Sequence, residues 1–178
     1  MTLTKETIIL TEKKIWLPLT TTANCELKLK EKLDYLKLEH FIPTRKKIIR
    51  HARTVKEVDK PLIPSLIFIH TTWKEAHHLR SLYPRKIFLI YQYDRTVLSI
   101  PDQEMERFIQ FITINQEEEI HITHEPIVGD KVMIKTGPLA GTQGLLAKCE
   151  GKNYFTIRLK GLCNASIRIL KKDLKVVR

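Results

Sequence analysis

One stretch constrains the fold more than any other: Val128-Gly129-Asp130-Lys131-Val132-Met133-Ile134-Lys135-Thr136-Gly137-Pro138-Leu139-Ala140-Gly141-Thr142-Gln143-Gly144. Gly129-Asp130 makes a tight turn into a strand on which Val132 and Ile134 alternate inward. Gly137-Pro138 and Gly141 then build a compact loop, where glycine reaches positive φ without a Cβ clash. Gly144 restarts the next strand. With Lys131–Lys135, the runs Gly144–Lys148, Tyr154–Leu159, Ser166–Ile169 and Leu174–Val177 make five short strands at turn-punctuated intervals. That pattern predicts a small β-barrel.

The residues before it follow a different rule. Ile15–Leu19 reads as an opening strand, and Asn24 as the N-cap of a helix over roughly 25–38 whose stripe is Cys25, Leu29, Leu33 and Leu36. A strand with Phe41 and Ile42, a basic loop or hairpin, and the apolar run Leu62–Ile69 come next. Thr72 and Glu75 have capping-box spacing, so a second helix starts there, buries Trp73, Ala76, Leu79 and Leu82, and stops at Pro84. Ile87–Tyr91 and Val97–Ile100 are strand-like. Pro101-Asp102 opens a third helix with Met105, Phe108, Ile109 and Ile112 on one stripe. Helices too few to cover both faces of the sheet imply an α+β sandwich with one face open for a partner. The expected boundaries are a tail (1–14), an α+β domain (15–112), a polar linker closed by Pro126 (113–126) and a barrel domain (127–178).

Composition narrows the function. The longest unbroken apolar stretch, Ile87–Tyr91, is far below the ~20 residues that span a bilayer. The first residues lack the apolar core of a signal peptide, so a cytoplasmic protein without a membrane partner is expected. Cys25, Cys149 and Cys163 are scattered and odd in number, which fits reduced thiols and no disulfide framework. The chain carries 31 Lys and Arg against 20 Asp and Glu, net +11. Residues 1–120 hold 20 basic and 16 acidic side chains, while 121–178 hold 11 and 4. A basic surplus of this kind suits a polyanionic partner, nucleic acid above all.

Catalysis has little to stand on. His77 and His78 are adjacent and cannot both face one point from a helix. Glu117–Glu119 is a solvated run, the glycine cluster lies among strands rather than opening a helix, and no nucleophile–base pair stands out. No enzyme activity, cofactor or metal is expected.

The glycine-punctuated run resembles a KOW motif, the core of SH3-like barrels in ribosomal proteins and transcription elongation factors. Its positions are Gly129, Asp130, Val132, Ile134, Gly137, Pro138, Gly141 and Gly144. Preceded by an α+β domain of this size, it resembles the NusG family of transcription elongation and antitermination factors. Trp16, Phe41-Ile42-Pro43, Pro61 through Ile69, His78-Leu79 and Pro84-Arg85 match the family's N-terminal domain in kind and order. The fold implied is a NusG N-terminal-type α/β sandwich followed by a KOW barrel. Pro64-Ser65-Leu66 stands where housekeeping members read Pro-Gly-Tyr. With Ile67 through Thr72, it is similar to the specialised UpxY-type antiterminators of capsular polysaccharide operons in Bacteroidota.

The resemblance implies binding. The partner would be RNA polymerase, at the clamp helices of its largest subunit, with Leu66, Phe68, Leu79 and Leu82 as the carried-over contacts. Leu66 and Phe68 are alternate strand residues and share a face. Arg45, Lys46, Lys47, Arg50 and Arg53, continuing to Lys56 and Lys60, would meet upstream or non-template DNA, with Arg80, Arg85 and Lys86 as further candidates. Tyr91 and Tyr93 are candidates for stacking on an extruded base. Lys148, Lys152, Arg158, Arg168, Lys171, Lys172 and Lys175 would give the barrel a face for nucleic acid, nascent RNA included. The loop Lys160–Asn164 has no aromatic where housekeeping relatives contact a ribosomal protein or the termination factor Rho. That absence favours an antiterminator. The alternatives are a housekeeping elongation factor and a ribosome- or RNA-binding KOW protein.

Overall fold

The computed structural model describes residues 13–51, 54–125 and 127–177. The expected tail therefore lies outside the described residues as far as Glu12, and so does Arg53. Packing divides the described chain into two compact units, one from Met1–Pro43 and Ile63–Asp102, the other from Thr44–Leu62 and Gln103–Arg178.

The first unit is a four-stranded antiparallel sheet with two helices on one face. Its strands β1 (Ile15–Thr20), β2 (Glu39–Phe41), β5 (Leu66–Thr71) and β6 (Phe88–Leu89) take the order β2-β5-β1-β6. Register decides the faces. Leu17 pairs with Ile69 and Leu19 with Ile67, and these four pack with Leu29 and Leu33 of α1 (Glu26–Tyr35) and Ala76 and Leu79 of α2 (Trp73–Leu82). Trp16, Pro18 and Thr20 pair with His70, Phe68 and Leu66, so these residues point to the opposite side. There Trp16 stacks on His70 with ring centroids 4.9 Å apart, and Phe41 lies against Phe68 at 6.5 Å.

The helix stripes hold in part. Leu29 and Leu33 are buried, but Leu36 lies past the end of α1 and is exposed. In the helix opened by Asp102, Phe111 is buried where Ile109 is only half-buried. The helix ends differ in part as well. Thr72 and Glu75 form both halves of the capping box on α2. Asn24 does not cap α1: it sits at φ 59, and Cys25 occupies the cap position without a side-chain bond. Asn tolerates the left-handed region better than most residues, so it serves the turn before the helix. The strand expected at Val97–Ile100 reduces to two isolated bridges, Tyr91 with Val97 and Trp16 with Ile100. Leu82, expected in the buried face of α2, is 50% exposed.

The second unit holds the hairpin β3 (Thr44–His51) and β4 (Thr54–Pro61), helix α3 (Asp102–Ile114, from Gln103 onward) and a six-stranded antiparallel sheet. That sheet comprises β7 (His121–Thr123), β8 (Asp130–Ile134), β9 (Gln143–Cys149), β10 (Lys152–Leu159), β11 (Cys163–Arg168) and β12 (Leu174–Val176), ordered β12-β8-β9-β10-β11-β7. The stretch 113–126 begins inside the last turn of α3 and contains β7, which pairs with β11. A three-residue edge strand among charged residues leaves no periodicity to detect. Met105, Phe108, Phe111 and Ile112 are the buried stripe of α3, and Phe111 meets Phe155 of β10 with centroids 6.1 Å apart.

Candidate nucleic-acid and docking surfaces

The glycines of the 128–144 run are required for two different reasons. Gly137 and Gly141 sit at φ 86 and 84, where a side chain is strained. Gly129 and Gly144 are required by closeness. A Cβ on Gly129 would lie 2.2 Å from the Leu146 carbonyl oxygen, and one on Gly144 would lie 2.6 Å from the Phe155 ring. Val132 and Ile134 are buried, Asp130 opens β8 paired with Leu146 and is exposed, and Pro138 lies between Gly137 and the buried Leu139. Cys163 is buried, and loss of solvation pushes its thiol up to about 12, so it is a packing residue rather than a reactive one. Cys149 is exposed.

The basic segment 44–61 is a regular two-stranded ribbon, with Arg45 opposite Lys60, Lys46 opposite Asp59, Lys47 opposite Val58 and Arg50 opposite Val55. Lys46 Nζ lies 2.7 Å from Glu57 Oε1, and that hydrogen bond and charge raise the Lys46 pKa. Lys47 and Arg50 are exposed and Arg45 half-buried. In the first unit, Arg80, Arg85 and Lys86 are exposed, as are Tyr91 and Tyr93, two aromatics that strand pattern alone would place in a core. Arg80 donates to the Tyr91 hydroxyl at 3.4 Å. Asp94 accepts from the Thr96 N–H and hydroxyl, which fixes the turn carrying Tyr93 and holds the Asp94 carboxyl below its ordinary value.

The four apolar candidates do not form one exposed surface. Leu66 and Phe68 share the face turned away from α1 and α2, yet both are buried, at 3% and 0% exposure. Leu79 is buried on the other side of the sheet, in the core shared with Ile67 and Ile69. Leu82 alone is open, lining a groove of about 350 Å³ with Leu36 and Leu38. The reason is legible in hindsight: Leu66-Ile67-Phe68-Ile69 is a continuous apolar run, and such runs mark strands covered on both faces.

Sequence reasoning also passed over a polar cleft in the second unit. Glu104 and Arg107 of α3 and Lys131, Arg158 and Lys160 line a space of about 430 Å³. Arg158 is engaged there, donating to the Ile127 carbonyl and the Asn164 side chain. Scattered single charges on a helix, two strands and a turn give no linear signal. Among the described residues, no His, Cys, Asp or Glu cluster is arranged to hold a metal, and no helix is long and apolar enough to cross a membrane.

Comparison with known proteins accounts for this architecture. Residues 14–109, more than half of the chain, match the family described as "Transcription termination factor nusG". No curated protein sequence matches. Among 21 matching solved chains is Thermotoga maritima NusG, from a structure titled "Domain interaction in Thermotoga maritima NusG". It is 16% identical, with a TM-score of 0.52 over 93% of this chain and 98% of that one. A chain of the MjSpt4:Spt5 complex aligns at 15% identity over 92% and 97%, with a TM-score of 0.29, too low for a shared arrangement. The family match, on the sheet and helices described above, makes this chain a member of the NusG family of non-enzymatic transcription factors.

Proposed function

We propose that this NusG-family chain is a specialised antitermination factor, which binds elongating RNA polymerase and promotes readthrough of long operons such as those for capsular polysaccharide. The observation that carries the reading is Ser65. It holds φ 63 at the position where housekeeping relatives have glycine, and it does so with its N–H bonded to the buried Glu26 carboxylate. A serine thus holds a left-handed conformation that glycine adopts freely. The loop Lys160–Asn164, which lacks an aromatic, agrees with a factor that does not recruit Rho or a ribosomal protein.

In this reading the second unit's sheet is a KOW-type SH3-like barrel, and polymerase docks on the face of the first sheet turned away from α1 and α2, on the side of Leu66 and Phe68. Because both are buried in the folded chain, docking through them requires that face to open. Leu79, packed between helix and sheet, supports the surface without touching the partner. One side of the basic hairpin, with Arg80, Arg85 and Lys86, then faces upstream or non-template DNA.

The test is transcription by purified polymerase on the leader of the chain's own operon, with and without the protein. Longer transcripts past a terminator on that leader, and no effect on an unrelated template, support a specialised factor. Equal stimulation on every template identifies a housekeeping elongation factor instead.

A further inference from the structure

The register of the β3–β4 ribbon sorts its charges by face. In an antiparallel pair, directly opposed residues share a face and alternate along the strand. One face therefore carries Arg45 and Lys60, then Lys47 and Val58, then Ile49 and Lys56. The other carries Lys46 and Asp59, then Ile48 and Glu57, then Arg50 and Val55. Both carboxylates of the hairpin lie on the second face, where Lys46 is already bound to Glu57. The first face holds four cations and no acid.

That distribution works against the stability of the hairpin. Arg45 stands directly opposite Lys60, and like charges in opposed positions destabilise a strand pair. Local rules are broken in this way where a surface serves a partner. We infer that the face bearing Arg45, Lys47, Lys56 and Lys60 binds the sugar-phosphate backbone of duplex DNA, and that the Lys46 face does not. The inference rests on the reading of this hairpin as a nucleic-acid contact and names which half of it makes the contact.

Duplex is favoured over single strand by what lies between the cations. Ile49 and Val58 occupy the centre of the face, and the whole segment 44–61 has no Phe, Tyr or Trp. Proteins that hold unpaired strands use aromatic platforms for the bases. The segment also has no Asn or Gln, the side chains that pair with adenine edges. A twisted two-stranded ribbon fits the width of a DNA groove, and its cations then meet phosphates without reading sequence.

The experiment measures binding of the full chain to a mixed-sequence labelled duplex across a salt series. It compares three double variants that each remove two positive charges: Arg45→Ala with Lys47→Ala, Lys56→Ala with Lys60→Ala, and Lys46→Ala with Arg50→Ala. Each phosphate contact contributes about 0.9 to the slope of log affinity against log salt. Each of the first two variants should therefore lose about 1.8 of slope, making the loss of affinity between 50 and 200 mM salt roughly tenfold smaller than in the parent protein. The third should keep most of the parent slope. Equal losses in all three would overturn the assignment of faces while leaving the hairpin a nucleic-acid contact. No loss in any would overturn the hairpin reading itself. Tighter binding to the matching single strand, sensitive to the first two variants, would overturn the choice of duplex.

Discussion

The carboxylate of Glu26, in the first turn of α1, accepts the backbone N–H of Ser65 at 2.6 Å, and Ser65 stands at φ 63 just before β5. The bond joins residues 39 positions apart and fixes how the central strand of the first sheet begins. Glu26 is buried, so its carboxylate needs a hydrogen-bonding partner such as this one.

Two substitutions separate the parts of that contact. A non-glycine residue in the left-handed region costs about 1–2 kcal/mol, and glycine gives back part of this through its freer unfolded chain. Ser65→Gly should raise stability by about 0.5–1 kcal/mol. Glu26→Ala should lower it by about 1.5–3 kcal/mol, as for other hydrogen bonds to a charged group. Urea unfolding measures both, and a Ser65→Gly variant less stable than its parent would show that the serine hydroxyl has a structural task of its own.

The capping box of α2 carries a pH dependence. Hydrogen bonds from the Thr71 hydroxyl and from the N–H and hydroxyl of Thr72 hold the Glu75 carboxyl below its ordinary value. A group lowered on folding contributes stability that is full above its unfolded pKa and is lost as pH falls through the folded one. Thr72→Ala should cost about 1 kcal/mol at neutral pH. The difference in stability between the parent and Glu75→Gln should shrink as pH falls below about 4.3, the ordinary glutamate value. Thermal unfolding from neutral to acid pH checks this; a gap that widens toward acid has the wrong sign.

Glycines in the second unit should respond unequally. Gly144→Ala forces a methyl into the Phe155 ring and the Thr156 carbonyl, both 2.6 Å away, and should cost about 1–3 kcal/mol or more. Gly137→Ala meets nothing within 4 Å, and only its φ of 86 is strained, so about 1–2 kcal/mol is expected. The Gly144 variant should also disturb the near-ultraviolet signal of Tyr154, the neighbour of Phe155 on β10, whereas the Gly137 variant should not. Equal spectra and equal losses would mean that Phe155 yields without resistance.

Much of this architecture was legible because it is written in local chemistry. Thr72 and Glu75 announce a helix start three residues apart, and the stripes Leu29-Leu33 and Met105-Phe108-Ile112 need only helical periodicity. What could not be read depends on residues far away in the chain. Nothing beside Leu66 and Phe68 tells whether the second face of β5 is covered. Nothing near His121 tells that β11 lends it a hydrogen-bonding edge. The hairpin lay between: its charges are evident in the sequence, but their division by face appears only once Lys46 is paired with Asp59 and Arg45 with Lys60.

The most direct test of the central claim is co-purification of the tagged full-length chain with its binding partners, taken from cells in exponential growth under low salt. The account predicts the core subunits of RNA polymerase in stoichiometric yield, retained after nuclease treatment. Recovery of ribosomes with no polymerase subunits would contradict it.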